Sequence, residues 1–547
     1  MKLYSNNASF SNIILSCFAL LTIFNTLRLA VFPKTEWSTS LIFAFFLTFL
    51  VISISSMKPT SRLFLNKIQE IYRFGAEIII ILIVITIHIF RSNLQILNFF
   101  SYSYEDSYQV IDSISKQINY KTFGSLNIEM QSPGTANLIL VISTISRLIF
   151  GKMGLIDSTN IVYIIIVILP FLILLKTVKN INLRNDSSLK NTILINLLYF
   201  FIFTFLLIVL FEYIFLGHIN ALYSLVIIIY FFIEINKKER NFNSLVLPLS
   251  LIHLFWWPTL IVTIPIFLVY VLKEYRKLNH LNTVFFIFSI GSTIYQLTFS
   301  LRVAEWNFDL LSEKGGVSNY QNITYLFLLI SLSTIFAVLY KNRDFQKLTP
   351  GVLTVVITFY LFKLFNLIIL GEENSYGLLK LEFFVFNLLI FTIFITLKNV
   401  YDKPRLLYVA LLIILFQLSQ WNNKILVTYS FTNPVPQIYS LDTTDLDERY
   451  KESSVLCIDK TDLDNIRGNS YKCSRLISSL YGQDDRKIEG AMGWRFVMLG
   501  IIDPQDYFGG GEGSDKFSES TLFIKNNSTI RIVSEKKKIE EEFNKYF

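Results

Sequence analysis

The chain has 547 residues, 53% of them hydrophobic and only 16% charged, with a net charge of +8 and a mean hydropathy of +0.50. A soluble protein of this length needs far more surface charge, so the composition excludes an ordinary water-soluble enzyme and points to a polytopic membrane protein. The Lys and Arg excess sits in short knots between apolar runs, the positive-inside pattern, and is not a nucleic-acid footprint.

Runs 10–32 and 39–57 read as a hairpin of two spans. The first lacks a small-residue cleavage site and carries Asn25 and Arg28 near its end, so a permanent span is expected rather than a cleaved signal. Lys58, Arg62, Lys67 and Arg73 then mark the cytoplasmic side, and run 75–97 returns outward to deliver a polar, acidic and aromatic stretch, Tyr102–Pro133. Run 135–150 is apolar and helical in period but short for a span. Counted as a crossing, it puts the next knot (Lys176, Lys179, Arg184, Lys190) outside. Laid along the outer interface as a juxtamembrane helix, it puts that knot and every later one inside, and this reading is adopted.

The pattern continues with 154–175, then 192–214 and 219–236 joined outside by the FLGH turn that ends at His218. A tight hairpin, 243–255 and 257–272, is expected to turn near Trp256-Trp257-Pro258. Spans 283–300 and 322–340 flank a second outer loop, 350–370 and 380–397 flank a third, and 405–421 releases the tail outside. The expected fold is mainly α, a transmembrane helical bundle of about 13 crossings over residues 1–422, with the N-terminus cytoplasmic. Within it, 98–153 is the first outer loop with its juxtamembrane helix. Residues 423–547 change character: SVLCI, STLFI and STIRIV alternate with polar turns and the Gly509–Gly511 cluster, which predicts a small C-terminal extracytoplasmic α/β domain. Cys457 and Cys473 would suit one disulfide in an oxidising compartment, and spacing alone leaves their pairing open. No internal repeat is visible, which weighs against a transporter built from two related halves.

The chain has no Walker loop, no GxGxxG opening a helix, no HExxH and no CxxC. His88, His218, His253 and His280 are scattered and read as packing or interfacial residues. Asp445 and Asp447 have a DxD spacing of the kind that mixed-charge linkers often produce. The carboxylates of the outer loops say more. Glu105 and Asp106 follow an outward span directly, where one-sided desolvation raises the basicity of a carboxylate toward that of a general base. Asp112, Glu129 and Asp157 lie on the same side, among Tyr102, Tyr104, Tyr108 and Tyr120. An ordinary interfacial loop with tyrosines in the aromatic belt has the same ingredients. The contrast between loops favours chemistry. The second outer loop holds Glu305, Trp306, Asp309 and Lys314 and the third Glu372, Glu373, Tyr376 and Lys380, whereas the inner loops are basic staples.

The succession YEDSY…G…SPGTANLIL…LIFG, followed by a run of spans and a C-terminal outer domain, resembles the GT-C class of membrane glycosyltransferases. In style it is similar to the protein-mannosyltransferase and aminoarabinose-transferase enzymes, over most of 75–421. The resemblance implies transfer of a sugar from a polyprenyl-phosphate donor to an acceptor hydroxyl at the outer face, with inversion. It makes Asp106 the catalytic carboxylate, with Glu105 its neighbour and Glu129, four residues ahead of Pro133, a second acid. The cation common beside that proline is replaced by Met130 and Gln131, so Arg147, Lys152, Arg302 or Lys380 would have to meet the donor phosphate. Tyr104, Tyr108, Glu305 and Glu372 complete the expected substrate contacts. No cofactor or metal is expected, although some members of the class use a divalent cation, and Glu105 with Asp106 would offer it oxygen ligands. The implied partners are the lipid-linked donor, a glycan, lipid or protein acceptor, and membrane lipids. The rival classes are a transporter or flippase of a lipid-linked glycan and a structural envelope protein without catalytic activity. A transporter needs polar groups deep in several spans, for which Gln296, Lys363, Asn366 and Glu212 are the candidates.

Overall fold

The computed structural model describes residues 10–31, 110–111, 113–114, 132–150, 155–179, 213, 218–236, 242–274, 280–303, 348–370, 381, 384–385, 387–388, 454–459, 520–526 and 529–533. Within them the fold is mainly α. The helices are α1 (Phe10–Val31), α2 (Pro133–Phe150), α3 (Leu155–Lys179), α4 (Ile219–Asn236), α5 (Val246–Phe255), α6 (Leu260–Glu274), α7 (His280–Val303) and α8 (Leu348–Leu370). Most are rich in Ile, Val and Phe, residue types that favour strands. Runs of 18 to 25 residues are nevertheless too long for strands, and a helix satisfies its backbone within the segment wherever no water is available.

The short helix α5 is the axis of the bundle. All ten of its residues are buried, and it packs against α1, α2, α4, α6 and α7. The expected tight hairpin is present. α5 ends at Phe255, a 3-10 turn over Trp257–Thr259 reverses the chain, and α6 leaves from Leu260. Thr259 closes the turn by donating from both its backbone N–H and its hydroxyl to the Trp256 carbonyl, at 3.1 and 2.6 Å.

Side-chain contacts fix the relative directions of the helices. Near the start of α1, Asn12 meets Tyr230 late in α4 and Ser244 just before α5. Near its finish, Asn25 meets Asn137 at the start of α2, and Thr135 of α2 meets Asn220 at the start of α4. Hence α4 runs antiparallel to α1, and α5 runs with it. Phe242, before α5, stacks on Tyr270 late in α6, and Gly351 early in α8 lies against Tyr270 and Phe232, so α6 descends and α8 rises again. A Cβ at Gly351 would come within 2.7 Å of Phe232 and 3.0 Å of the Tyr270 hydroxyl, so the close α6–α8 approach requires glycine there.

The core is one continuous apolar cluster drawn from every helix, and it also takes in Leu381, Phe384, Val385 and Leu388. Val110, Ile111 and Ile114 belong to it as well, all buried, so the stretch after Asp106 is anchored in the bundle by a short helical face. Cross-helix polar pins complete the packing. His253 of α5 bonds Thr263 of α6 through Nδ1 at 3.0 Å and Ser289 of α7 through Nε2 at 2.9 Å. Ser289 donates its own proton to the Phe286 carbonyl at 2.6 Å, so Nε2 is the donor to Ser289, and in a neutral ring Nδ1 then accepts from Thr263. Both ring nitrogens are satisfied.

The outer surface of the bundle is apolar too. Ile357, Leu361, Leu364, Phe365 and Ile368 make an exposed stripe along one face of α8, while Val352, Val355, Val356 and Phe359 are buried on the other. Ile368 is 72% exposed and Leu272 of α6 76%. Among the described residues no helix is long and apolar enough to cross a membrane.

Three strands, β1 (Ser454–Asp459), β2 (Ser520–Asn526) and β3 (Thr529–Val533), coincide with the short runs expected in the C-terminal region. They form a mixed sheet in the order β1-β2-β3. β1 pairs in parallel with β2, register Cys457 to Phe523, and β2 pairs antiparallel with β3. The parallel pair demands a crossover connection, whereas β2 and β3 close as a tight hairpin. Cys473 lies outside the described residues, so the proposed pairing with Cys457 does too.

Candidate functional site

The segment Ser132–Asn137 is the knot of the structure. Ser132 caps α2: its carbonyl accepts the Ala136 N–H at 3.0 Å, and its hydroxyl reaches Thr135 Oγ1 at 3.1 Å. Pro133 stands at the first helical position, where its missing N–H is no loss and its fixed φ suits a helix start. Gly134 follows because nothing larger fits. A Cβ there would lie 2.9 Å from the Phe255 ring and 3.0 Å from the Leu254 carbonyl. Thr135 then donates to Asn220 Oδ1 at 2.6 Å, which joins α2 to the first turn of α4. Asn137 accepts from Asn25 Nδ2 at 2.5 Å and donates back to the Pro133 carbonyl at 2.8 Å, which joins α2 to α1.

The first half of α2 is enclosed by the other helices. All residues from 133 to 140 are buried. The reason is local. Gly134 permits contact with the end of α5, and Thr135 and Asn137 find protein partners, so neither polar residue needs water. α2 packs against α1, α3, α5 and α7.

The neighbouring elements are held just as firmly. The Phe255 ring stacks on Tyr223 of α4 at 4.7 Å and on Phe18 of α1 at 5.8 Å. Tyr223 donates to the Ile166 carbonyl in mid-α3, and Ser224 donates to the Ile252 carbonyl of α5 at 2.7 Å. His218 precedes α4, and its carbonyl accepts the Leu222 N–H. Trp256, at the hairpin turn, lies against Phe384, 5.5 Å between rings. One end of the bundle thus gathers the finish of α1, the starts of α2 and α4, and the α5–α6 turn.

Asp106, Glu105, Glu129, Tyr104, Tyr108, Lys152, Glu305, Glu372 and Lys380 lie outside the described residues. Arg147 falls in the last turn of α2 and Arg302 in the last turn of α7, where only the backbone is described. Among the described residues no group of His, Cys, Asp and Glu could hold a metal ion. Sequence reasoning missed the polar pairs Asn25–Asn137 and Thr135–Asn220. The signals were present as Asn25 in an apolar run and as the Ser-Pro-Gly-Thr-Ala-Asn string, a capped helix start with polar residues. No family model matches the chain, and neither a curated protein nor a solved structure matches it.

Proposed function

We propose that the protein is a GT-C-like integral-membrane glycosyltransferase of about 13 spans. In this reading it moves a sugar from a polyprenyl-phosphate donor to an acceptor hydroxyl at the outer face of the membrane, with inversion. The observation that carries the reading is the position of SPGTAN, the string through which the chain resembles that class. It lies at the meeting point of α1, α2, α4 and the α5–α6 turn, in one polar, tightly bonded cluster. The burial of Val110, Ile111 and Ile114 in the core adds to it, because these residues follow Asp106 closely in the sequence.

Membrane residence is supported by the surface. α8 has 23 residues with Lys363 its one charged side chain, and it rises about 34 Å against a hydrocarbon core of about 30 Å. Its exposed stripe is Ile, Leu and Phe, which water would not tolerate over that length. That no described helix is both long and apolar enough throughout to cross a membrane stands against this. Helix length and exposed apolar faces weigh more, since they are what a bilayer selects.

In the mechanism implied by the resemblance, Asp106 takes the proton of the acceptor hydroxyl. The oxygen attacks the anomeric carbon, the bond to the lipid phosphate breaks, and the phosphate leaves with the bonding pair. Cationic side chains offset the charge developing on the phosphate. A transporter reading would look to the polar residues inside the bundle. His253 bonds both Thr263 and Ser289 across three helices, as pins rather than as a path.

The test is sugar transfer in membranes from labelled polyprenyl-phosphate sugars, comparing the parent with Asp106→Asn at matched expression. Loss of a general base is expected to lower the rate by about 10²–10⁴-fold. Wild-type transfer by Asp106→Asn would remove Asp106 from the role.

A further inference from the structure

Arg28 lies in the last turn of α1, only 6% exposed, and none of Nε, Nη1 and Nη2 has a hydrogen-bond partner. A guanidinium taken out of water without a partner is among the most unfavourable arrangements a protein can hold, so it calls for a compensating anion. The side chain is not snorkelling: a headgroup-seeking arginine would present its tip on the surface, and this one is covered by protein.

Arg28 is three residues beyond Asn25, within roughly 60° of the same helix face and about 4.5 Å further along the axis. Helical side chains lean toward the N-terminus, so Arg28 leans back toward the Asn25–Asn137 contact. Two helix N-termini meet beside that contact, those of α2 and α4, bridged by Thr135 and Asn220. Pro133 has no N–H, and the Ala136 N–H goes to the Ser132 carbonyl just ahead of α2. The Gly134 and Thr135 N–H groups therefore have no partner within their own helix. Two positive helix ends and a buried cation thus share one end of the bundle, an arrangement that holds an anion and repels itself without one.

We infer that Arg28, with the N-termini of α2 and α4, forms a buried anion site for a phosphate group. In the glycosyl-transfer reading, on which this inference builds, the site takes the phosphate of the lipid carrier. It supplies the cation missing beside Pro133, where Met130 and Gln131 stand. The planar fork of arginine matches two phosphate oxygens at once, a geometry that lysine cannot copy.

The test uses the full-length protein in nanodiscs of uncharged lipid. The probes are a fifteen-carbon prenyl monophosphate, the prenyl alcohol of the same length, and inorganic phosphate. The wild type is expected to bind the monophosphate and to gain thermal stability from it, while the alcohol binds far more weakly. Arg28→Met should weaken monophosphate binding by about 10–100-fold, and Arg28→Lys by less. Arg28→Met should unfold at or above the wild-type temperature, because it deletes an unpartnered buried charge. Should Met not be accommodated, Arg28→Gln carries the same comparison. Competition by the prenyl monophosphate alone identifies a lipid phosphate, and equal competition by inorganic phosphate identifies a free one; either supports the anion site. Wild-type affinity in Arg28→Met and Arg28→Gln, or equal binding of alcohol and monophosphate, overturns it. Arg28-dependent binding in a protein that transfers no sugar would keep the site and remove the glycosyltransferase. Undiminished transfer by Arg28→Met at wild-type KM would do the reverse.

Discussion

Gly134→Ala is the sharpest perturbation of the helix knot. The added Cβ would sit 2.9 Å from Cγ and Cδ1 of Phe255 and 3.0 Å from the Leu254 carbonyl oxygen, closer than carbon tolerates. Phe255 has little freedom to swing away, since its ring stacks on Tyr223 at 4.7 Å and on Phe18 at 5.8 Å. The Leu254 carbonyl is backbone within a fully buried helix. What must yield is the start of α2, and with it the Thr135–Asn220 and Asn137–Asn25 bonds. Overpacking of this kind costs about 1–3 kcal/mol. Alanine returns about 0.5–1 kcal/mol through its better helix propensity. The net expectation is a loss of about 0.5–2 kcal/mol. Gly291→Ala in α7 is the control. A Cβ there meets nothing within 4 Å, so the propensity gain stands alone and stability should hold or rise by about 0.5–1 kcal/mol. Unfolding in detergent, followed by intrinsic fluorescence, separates the two. If Gly134→Ala unfolds at or above the wild-type midpoint, α2 does not approach α5 as described.

Other expectations follow from single contacts. Replacing His253 with Leu leaves Thr263 and Ser289 without their shared partner and should destabilise by about 1–3 kcal/mol, whereas Ser289→Ala alone should cost less; chemical unfolding measures both. A double-mutant cycle of Asn25→Ala with Asn137→Ala should give a coupling of about 0.6–1.7 kcal/mol, and additive losses would mean the two side chains do not meet. Gly351→Leu should separate α6 from α8, because Phe232 and Tyr270 already fill the space; a cysteine cross-link between those two helices should then form more slowly than in the parent.

Much of the helical frame is visible in the run of apolar residues. Ile219–Asn236 is bounded on both sides by polar signals, His218 before it and Lys237-Lys238 after it, and the α5–α6 hairpin turns where two tryptophans and a proline interrupt the run. The strands are visible because β-branched runs of five to seven residues stand between polar turns. What periodicity misses is depth and partnership. The apolar period of 135–150 does not say which helices it meets. The small residue at 134 and the polar partners of 135 and 137 decide that, and those partners lie far along the chain. Asn25 and Asn137 are 112 positions apart, and Asn12 and Tyr230 are 218 apart. In the sequence Arg28 argues only against a signal peptide, and its burial without a partner belongs to tertiary structure alone. The carboxylates that the family resemblance singles out, Asp106 and Glu129, stand where no periodic pattern constrains the chain.

The most direct measurement of the central claim is release of polyprenyl phosphate by the purified protein, reconstituted in liposomes with a defined polyprenyl-phosphate sugar and an acceptor extract. A glycosyltransferase releases the lipid phosphate in step with sugar appearing on the acceptor, and Asp106→Asn stops both together. Donor that crosses the bilayer intact, with no phosphate released and no sugar transferred, would contradict that claim and favour a flippase.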